Sequence, residues 1–167
     1  AALAALETGK LKLDSRRLDF AEVFGRALAG RRAAFGRAGV ELAVEVPDAV
    51  LEGQGDPERL GQALEHLLDN AIKFSPQGGN VIVRPSARGD DVLLAVEDHG
   101  IGIEKEKLSR VFDRFYHLER HENDLFGGIG LGLAITKQVI EQHQGKLTVT
   151  SAPGRGSTFT IVLKKGS

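Results

Sequence analysis

The chain has 167 residues, of which 41% are hydrophobic and 27% charged, with a formal net charge of -1, so it suits one domain with a real core and gives no reason to expect binding to nucleic acid or an anionic membrane. It contains no membrane-length apolar run and no secretory signal, and without cysteine it has neither a disulfide framework nor a Cys-ligated zinc site. Methionine is also absent, which points to a segment cut from a longer protein.

The opening AALAALETGKLKLDS reads as the end of a helix followed by a short extended link. Asp19 and Glu22 have the spacing of a capping box. Phe20, Val23, Phe24, Ala27, Leu28 and Phe35 then recur at helical spacing, and Gly36 and Gly39 suit the stop. Over residues 40–46 the pattern flips to alternation, with Val40, Leu42, Val44 and Val46 on one face of a half-buried strand. Residues 50–52 read as a short second strand. Asp56-Pro57 is a helix start, and that helix runs to about Phe74, ahead of Ser75-Pro76. Residues 81–84 and 92–97 form two strands joined at Arg88-Gly89-Asp90, and residues 104–110 a short helix.

Residues 113–126 are charged and aperiodic, a length that inside a compact domain marks a lid or binding loop. A helix is expected from about Gly132 to His143, closed by Gly145. A last hairpin pairs 147–150 with 157–163 around Pro153-Gly154. Antiparallel hairpins mixed with long helices predict an α/β (α+β) sandwich, a mostly antiparallel sheet with helices packed on one face.

Three stretches carry residue types suited to chemistry. In RLGQALEHLLDNAIKF, the side chains of Arg59, Gln62, His66, Asn70 and Lys73 fall within roughly 80° of one another around the helix, opposite Leu60, Leu64, Leu67, Leu68 and Ala71. This is either a wet face of an amphipathic helix or a site. An Asn amide oxygen is a hard ligand suited to Mg²⁺, a Lys one turn on reaches the same phosphates, and His66 is placed to orient or deprotonate a nucleophile. In LLAVEDHGIGI an apolar strand ends at Asp98. That carboxylate is either a turn residue or a buried acceptor for an amino group, with Gly100 and Gly102 giving a flat ligand room. In LFGGIGLGLA four glycines sit at the mouth of a helix, where free N–H groups and the helix dipole suit phosphate. The P-loop and Rossmann patterns are both absent, which leaves a glycine hinge between a lid and a helix N-terminus.

HLLDNAIKFS, DHGIGI, FDRFY, GGIGLGLA and GRGSTF, in this order and spacing, resemble the N, G1, F and G2 boxes and the last glycine motif of sensor histidine kinase catalytic domains. The wider superfamily holds the gyrase, chaperone and mismatch-repair ATPases. The resemblance covers about residues 11–163. It implies a Bergerat-type ATP-binding fold with a mobile ATP lid at about 113–130, with residues 1–14 the end of a dimerisation helix and its linker and 15–167 the catalytic domain.

The resemblance also implies residue roles. Asn70 matches the Mg²⁺-binding Asn and Lys73 the phosphate-contacting Lys. Phe74 stands where a Tyr packs on adenine. Asp98 matches the reader of the adenine amino group, Gly100 and Gly102 the glycines beneath the base, and Ile103 its apolar neighbour. Arg114 matches a lid residue that reaches phosphate. Gly128, Gly130 and Gly132 match the lid hinge, with N–H groups near Leu131 and Gly132 facing phosphate, and Thr158 offers a hydroxyl to adenine.

His66 departs from the family pattern, standing where these kinases carry the first Asn of the N box and more distant relatives a Glu base. It is grouped with the catalytic residues Asn70, Lys73 and Arg114. None of the five histidines lies in the H-E-x-x-x-P setting of a phosphoacceptor, since His121-Glu122 continues as Asn123-Asp124-Leu125. The expected activity is therefore transfer of the ATP γ-phosphoryl group, with Mg²⁺, to a histidine on a dimerisation domain outside this chain. A response regulator would follow through the full-length protein. The chain is expected to be a monomer in isolation, in the cytoplasm whether or not its parent is membrane-anchored, with no membrane contact of its own. The rivals are a pseudokinase interaction module and an anti-sigma-factor-type serine kinase.

Overall fold

The computed structural model describes residues 12–47, 49–112 and 129–165, and of residues 129–132 the backbone alone. The expectations for residues 1–11, for most of the lid, and for Arg114 and Gly128 lie outside the described residues. In chain order the elements are β1 (Arg16–Asp19), α1 (Phe20–Ala38), β2 (Val40–Val44), β3 (Glu52–Gly55), α2 (Pro57–Lys73), β4 (Gly79–Arg88), β5 (Asp91–Asp98), α3 (Lys105–Leu108), α4 (Ile129–Gln142), β6 (Lys146–Ser151) and β7 (Ser157–Lys164).

Local chemistry sets the helix starts. The Asp19 carboxylate accepts the Ala21 N–H at 2.9 Å, capping α1. The reciprocal half of the expected capping box is missing among the described residues, because Glu22 pairs with Arg26 one turn on. Asp56 caps α2 by accepting from the N–H groups of Glu58 and Arg59, and its other oxygen accepts the Asp14 N–H at 2.9 Å. α1 runs through Gly36 and stops at Gly39. α4 begins three residues earlier than expected, so Gly130, Leu131 and Gly132 fall within its first turn and not ahead of it.

Five strands form one open sheet in the order β2-β4-β5-β7-β6, with β2 and β4 parallel and the other neighbours antiparallel. β1 and β3 pair separately as a two-stranded sheet. β1 was not expected, because RRLD has no apolar alternation; its pairing is tertiary. α1 lies over β2, α2 over β5, and α4 over β6 and β7, while α2 also packs between the other two long helices. The covered face is apolar: Val81 and Val83, then Val92, Leu94 and Val96, then Phe159, Ile161 and Leu163, all buried against Leu60, Leu64, Leu67 and Leu68 of α2. Two of these rows end in polar residues, Asp98 on β5 and Ser157 on β7. No described helix is long and apolar enough to cross a membrane.

Candidate functional site

Strand periodicity puts Asp98 where the core would otherwise continue. It follows Val92, Leu94 and Val96 on the covered face and is 2% exposed. A carboxylate there needs donors, and two backbone N–H groups supply them, from Gly100 at 3.0 Å and Ser157 at 3.2 Å. Both go to Oδ1, and Oδ2 accepts no hydrogen bond from any described residue. Burial pushes the carboxyl up to about 6, with the two N–H donors and nearby His99 pulling it partly back. The residue is thus a buried acceptor with one oxygen fixed and one open.

The loop after Asp98 is clamped on both sides. The Ile101 N–H donates to the Phe74 carbonyl at 2.9 Å, and the Gly154 N–H donates to the Ile101 carbonyl at 2.8 Å. A Cβ on Gly100 would lie 1.8 Å from the Phe74 carbonyl oxygen, and one on Gly102 would lie 2.0 Å from that of Ala152. The space these two glycines leave is therefore filled by the protein's own backbone. Close packing of the protein's own backbone is by itself enough to require glycine at both positions. Ile103 is buried, and its N–H donates to Ser151 Oγ at 2.7 Å; that hydroxyl meets Ser157 Oγ at 2.8 Å and donates to the Gly156 carbonyl.

Two hollows open on this assembly. Phe74, Ile101, Gly102, Ile103, Glu104, Lys107 and Pro153 line one of about 100 Å³. A second, of about 250 Å³, runs along Asp98, Ser151 and residues 155–158. A larger hollow of about 680 Å³ lies between β1, α1 and α2; of the candidate face of α2 it is lined by Gln62, and Asp98, Asn70, Lys73 and His66 do not line it, so its size says nothing about the site.

On α2, Asn70 is 4% exposed and its Nδ2 is buried without a hydrogen-bond partner among the described residues. Such an orphan costs about 1–3 kcal/mol unless a ligand completes it. No group of three His, Asp or Glu side chains that could cage a metal occurs among the described residues. The Asn70 atom able to ligate a hard cation is its amide oxygen, not the orphaned Nδ2 donor, and one such oxygen fits an ion like Mg²⁺ that takes few protein ligands and completes its shell with phosphate and water. Lys73, in the last turn of α2, is exposed. His66, one turn before Asn70, has Nδ1 3.3 Å from Thr136 Oγ1 on α4. Burial lowers its pKa; Asp69 and Glu65 pull the other way, and Arg31 and Lys73 lower it further.

The structure thus gathers Asp98, Gly100, Gly102, Ile103 and Phe74 around one loop, though the Phe74 ring is only 1% exposed and is largely committed to the core. Thr158 borders the second hollow with Asp98, but its side chain is not turned toward Asp98. It pairs with Glu97 and Thr150, so its side chain points to the opposite face of the sheet from Asp98. Ser157, paired with Asp98 and 3% exposed, occupies the position assigned to Thr158. The period of two running back from Leu163, Ile161 and Phe159 was the signal that could have found it. Ser151 was also missed, and nothing in its local sequence marks it.

The sequence pattern of the family described as "Histidine kinase-, DNA gyrase B-, and HSP90-like ATPase" matches residues 55–167. The sensor-like histidine kinase SenX3 of Mycobacterium tuberculosis is 39% identical over 146 residues, covering 87% of this chain and 35% of that protein. The sensor histidine kinase WalK of Bacillus subtilis is 38% identical over 126 residues, covering 74% of this chain and 21% of WalK. The solved structure of the mycobacterial sensor histidine kinase MprB superposes with a TM-score of 0.74 at 34% identity, covering 89% of this chain and 96% of that one. The chain spans about a third or less of the length of these two curated relatives.

Proposed function

We propose that this chain, which belongs to the family of histidine kinase-, DNA gyrase B- and HSP90-like ATPases, serves as the ATP-binding catalytic domain of a sensor histidine kinase. The observation that carries the reading is Asp98: a buried carboxylate with Oδ1 held by two backbone donors and Oδ2 open is built to accept an exocyclic amino group. The purine would rest against Ile103 over the loop that Gly100 and Gly102 allow, with Phe74 beneath as packing. Ser157, in place of Thr158, would supply the nearby hydroxyl.

At the phosphate end, Asn70 would hold Mg²⁺, which offsets charge on the phosphate oxygens when bound. Lys73, Arg114 and the N–H groups at Gly130, Leu131 and Gly132 would add positive charge, since the first-turn donors of a helix have no intrahelical partner. Gly128 would belong to the same hinge. A histidine nitrogen of the dimerisation domain attacks the γ-phosphorus, a P–N bond forms, the β–γ bridging P–O bond breaks, and ADP leaves. Positioning and charge neutralisation carry such a step.

In this reading residues 1–14 lead from the dimerisation helix and 15–167 form the catalytic domain. The partners are that dimerisation domain and, through the whole protein, a response regulator; the domain works in the cytoplasm and is a monomer alone. The sensor histidine kinases among its relatives favour this over the serine-kinase and pseudokinase alternatives. Calorimetric titration with Mg-ATP, using Asp98→Asn as the control, tests it. Saturable binding lost in the variant supports the proposal, and no binding at millimolar nucleotide overturns it.

A further inference from the structure

We propose that His66 is a positioning residue whose Nδ1 contact with Thr136 sets how α2 meets α4, and so tunes the phosphate end of the site and not its purine end. The inference rests on the nucleotide reading above and adds a role for a residue that the family resemblance leaves without one. α2 carries Asn70 and Lys73; the first turn of α4 carries Gly130, Leu131 and Gly132. The relative placement of these two helices therefore fixes where magnesium ligand, lysine and helix donors stand around a triphosphate.

Most of what holds α2 to α4 is apolar. Leu60, Leu64, Leu67, Leu133 and Ile140 are all 1% exposed or less. Apolar contact is non-directional and sets spacing better than register. A directed polar contact sets register. One lies at the far end, where the Asp56 N–H donates to His143 Nε2 at 3.0 Å. Another is His66 Nδ1 to Thr136 Oγ1 at 3.3 Å. Thr136 is 0% exposed and His66 is half-buried, so the contact is partly shielded from competing water. It sits seven residues from Ile129, roughly 10 Å along α4, and His66 lies on the same face of α2 as Asn70, one turn away.

The groups facing His66 are Thr136 from α4, Arg31 from α1, and Glu65, Asp69 and Lys73 from its own helix. Arg31 is already engaged with Asp69 at 2.9 Å and Glu65 at 3.6 Å. The ring is therefore left to its Thr136 contact, with Nε2 unbonded among the described residues. Two roles separate by atom. Positioning works through Nδ1, whereas proton abstraction would work through Nε2.

Amide side chains distinguish them, because Asn places a polar atom where Nδ1 stands and Gln places one where Nε2 stands. The test measures binding of Mg-ATP, and of ADP in chelator, to the 167-residue chain and its variants, together with hydrogen exchange in α4 and the melting temperature. His66→Gln and Thr136→Val should each weaken Mg-ATP about tenfold, the worth of one buried hydrogen bond, and leave ADP unchanged. His66→Asn and Thr136→Ser should stay near wild type. The double variant His66→Gln/Thr136→Val should be no weaker than either single one.

Exchange along 133–142 should quicken in His66→Gln and Thr136→Val alone, with or without nucleotide. If the chain binds no nucleotide at all, the functional reading falls, and the exchange data still decide the coupling. The proposal is overturned if Asn behaves like Gln, if the two substitutions add, if ADP weakens in step with Mg-ATP, or if α4 exchange is unmoved.

Discussion

Asp98 and Ser157 face one another across the β5–β7 ladder, and the Ser157 N–H donates to Asp98 Oδ1 at 3.2 Å. That bond fixes one carboxylate oxygen from the strand next door and leaves the other open. It also explains why an acid is tolerated at the end of an apolar row, since burial is offset by fixed backbone donors.

The same burial makes the site pH-sensitive. The Asp98 carboxyl is pushed up to about 6 from an ordinary 3.8, mainly by burial. An amino group donates to the carboxylate and not to the acid, so adenine-nucleotide affinity should fall as pH drops through about 6, approaching tenfold per pH unit. The slope is read against Asp98→Asn, which removes the contribution of the nucleotide's own phosphates. For the free protein the sign is reversed. The folded state holds this proton more tightly than the unfolded one, so the stability it contributes is full below 3.8 and lost as pH rises through about 6. Without nucleotide, Asp98→Asn should therefore melt above wild type at pH 8, by roughly 3 kcal/mol at most.

His143 acts in the opposite direction. Its Nδ1 lies 2.8 Å from the Val139 carbonyl, and its Nε2 accepts the Asp56 N–H, an arrangement that needs the neutral ring. Burial lowers its pKa from the ordinary 6.5. The unfolded chain thus takes the proton first, and the stability that His143 contributes is full above 6.5 and lost as pH falls below it. His143→Ala should cost about 1–3 kcal/mol at pH 8 by stranding the Asp56 N–H. It should also flatten the fall in melting temperature between pH 7 and 5.

Gly100→Ala should be among the most damaging small changes in the chain. Its Cβ would lie 1.8 Å from a backbone oxygen, which cannot swing aside as a side-chain end would. A loss of about 3 kcal/mol is expected from such overpacking, measurable as a drop in the chemical-denaturation midpoint. Nucleotide affinity should fall with it, because the loop it displaces begins at Asp98.

The two hydroxyls of β7 should behave differently. Ser157→Ala removes a buried partner of Ser151 Oγ, which itself accepts the Ile103 N–H. It should cost about 1 kcal/mol of stability and weaken nucleotide binding. Thr158→Val, on the other face, should leave nucleotide affinity unchanged. Parallel titrations of the two variants check this.

The legible part of the molecule was the part governed by local rules. Asp19 and Asp56-Pro57 announce their helices, and the alternation from Val92 to Val96 announces β5 and places Asp98 at its end. β1 was not legible, because Arg16, Arg17, Leu18 and Asp19 form a strand only through β3, and β3 lies at Glu52–Gly55, later than the strand expected at 50–52, because its Gly53 and Gly55 favour no strand. The reason for Gly100 and Gly102 was hidden for a similar cause: the Phe74 and Ala152 carbonyls that crowd them are distant in sequence. Thr158 shows the cost of matching hydroxyls by motif without counting the strand period that selects Ser157.

The central claim is that Asp98 reads the amino group of adenine. The most direct measurement is calorimetric titration of Mg-ATP into the wild-type chain and into Asp98→Asn, at pH 8, where the wild-type acid is ionised. The wild type should bind saturably. The variant, which keeps an oxygen for the Gly100 and Ser157 donors but loses a charged acceptor, should stay folded and bind about 10–100-fold more weakly. Equal affinity in the two proteins, or none in a folded wild type, would contradict the account.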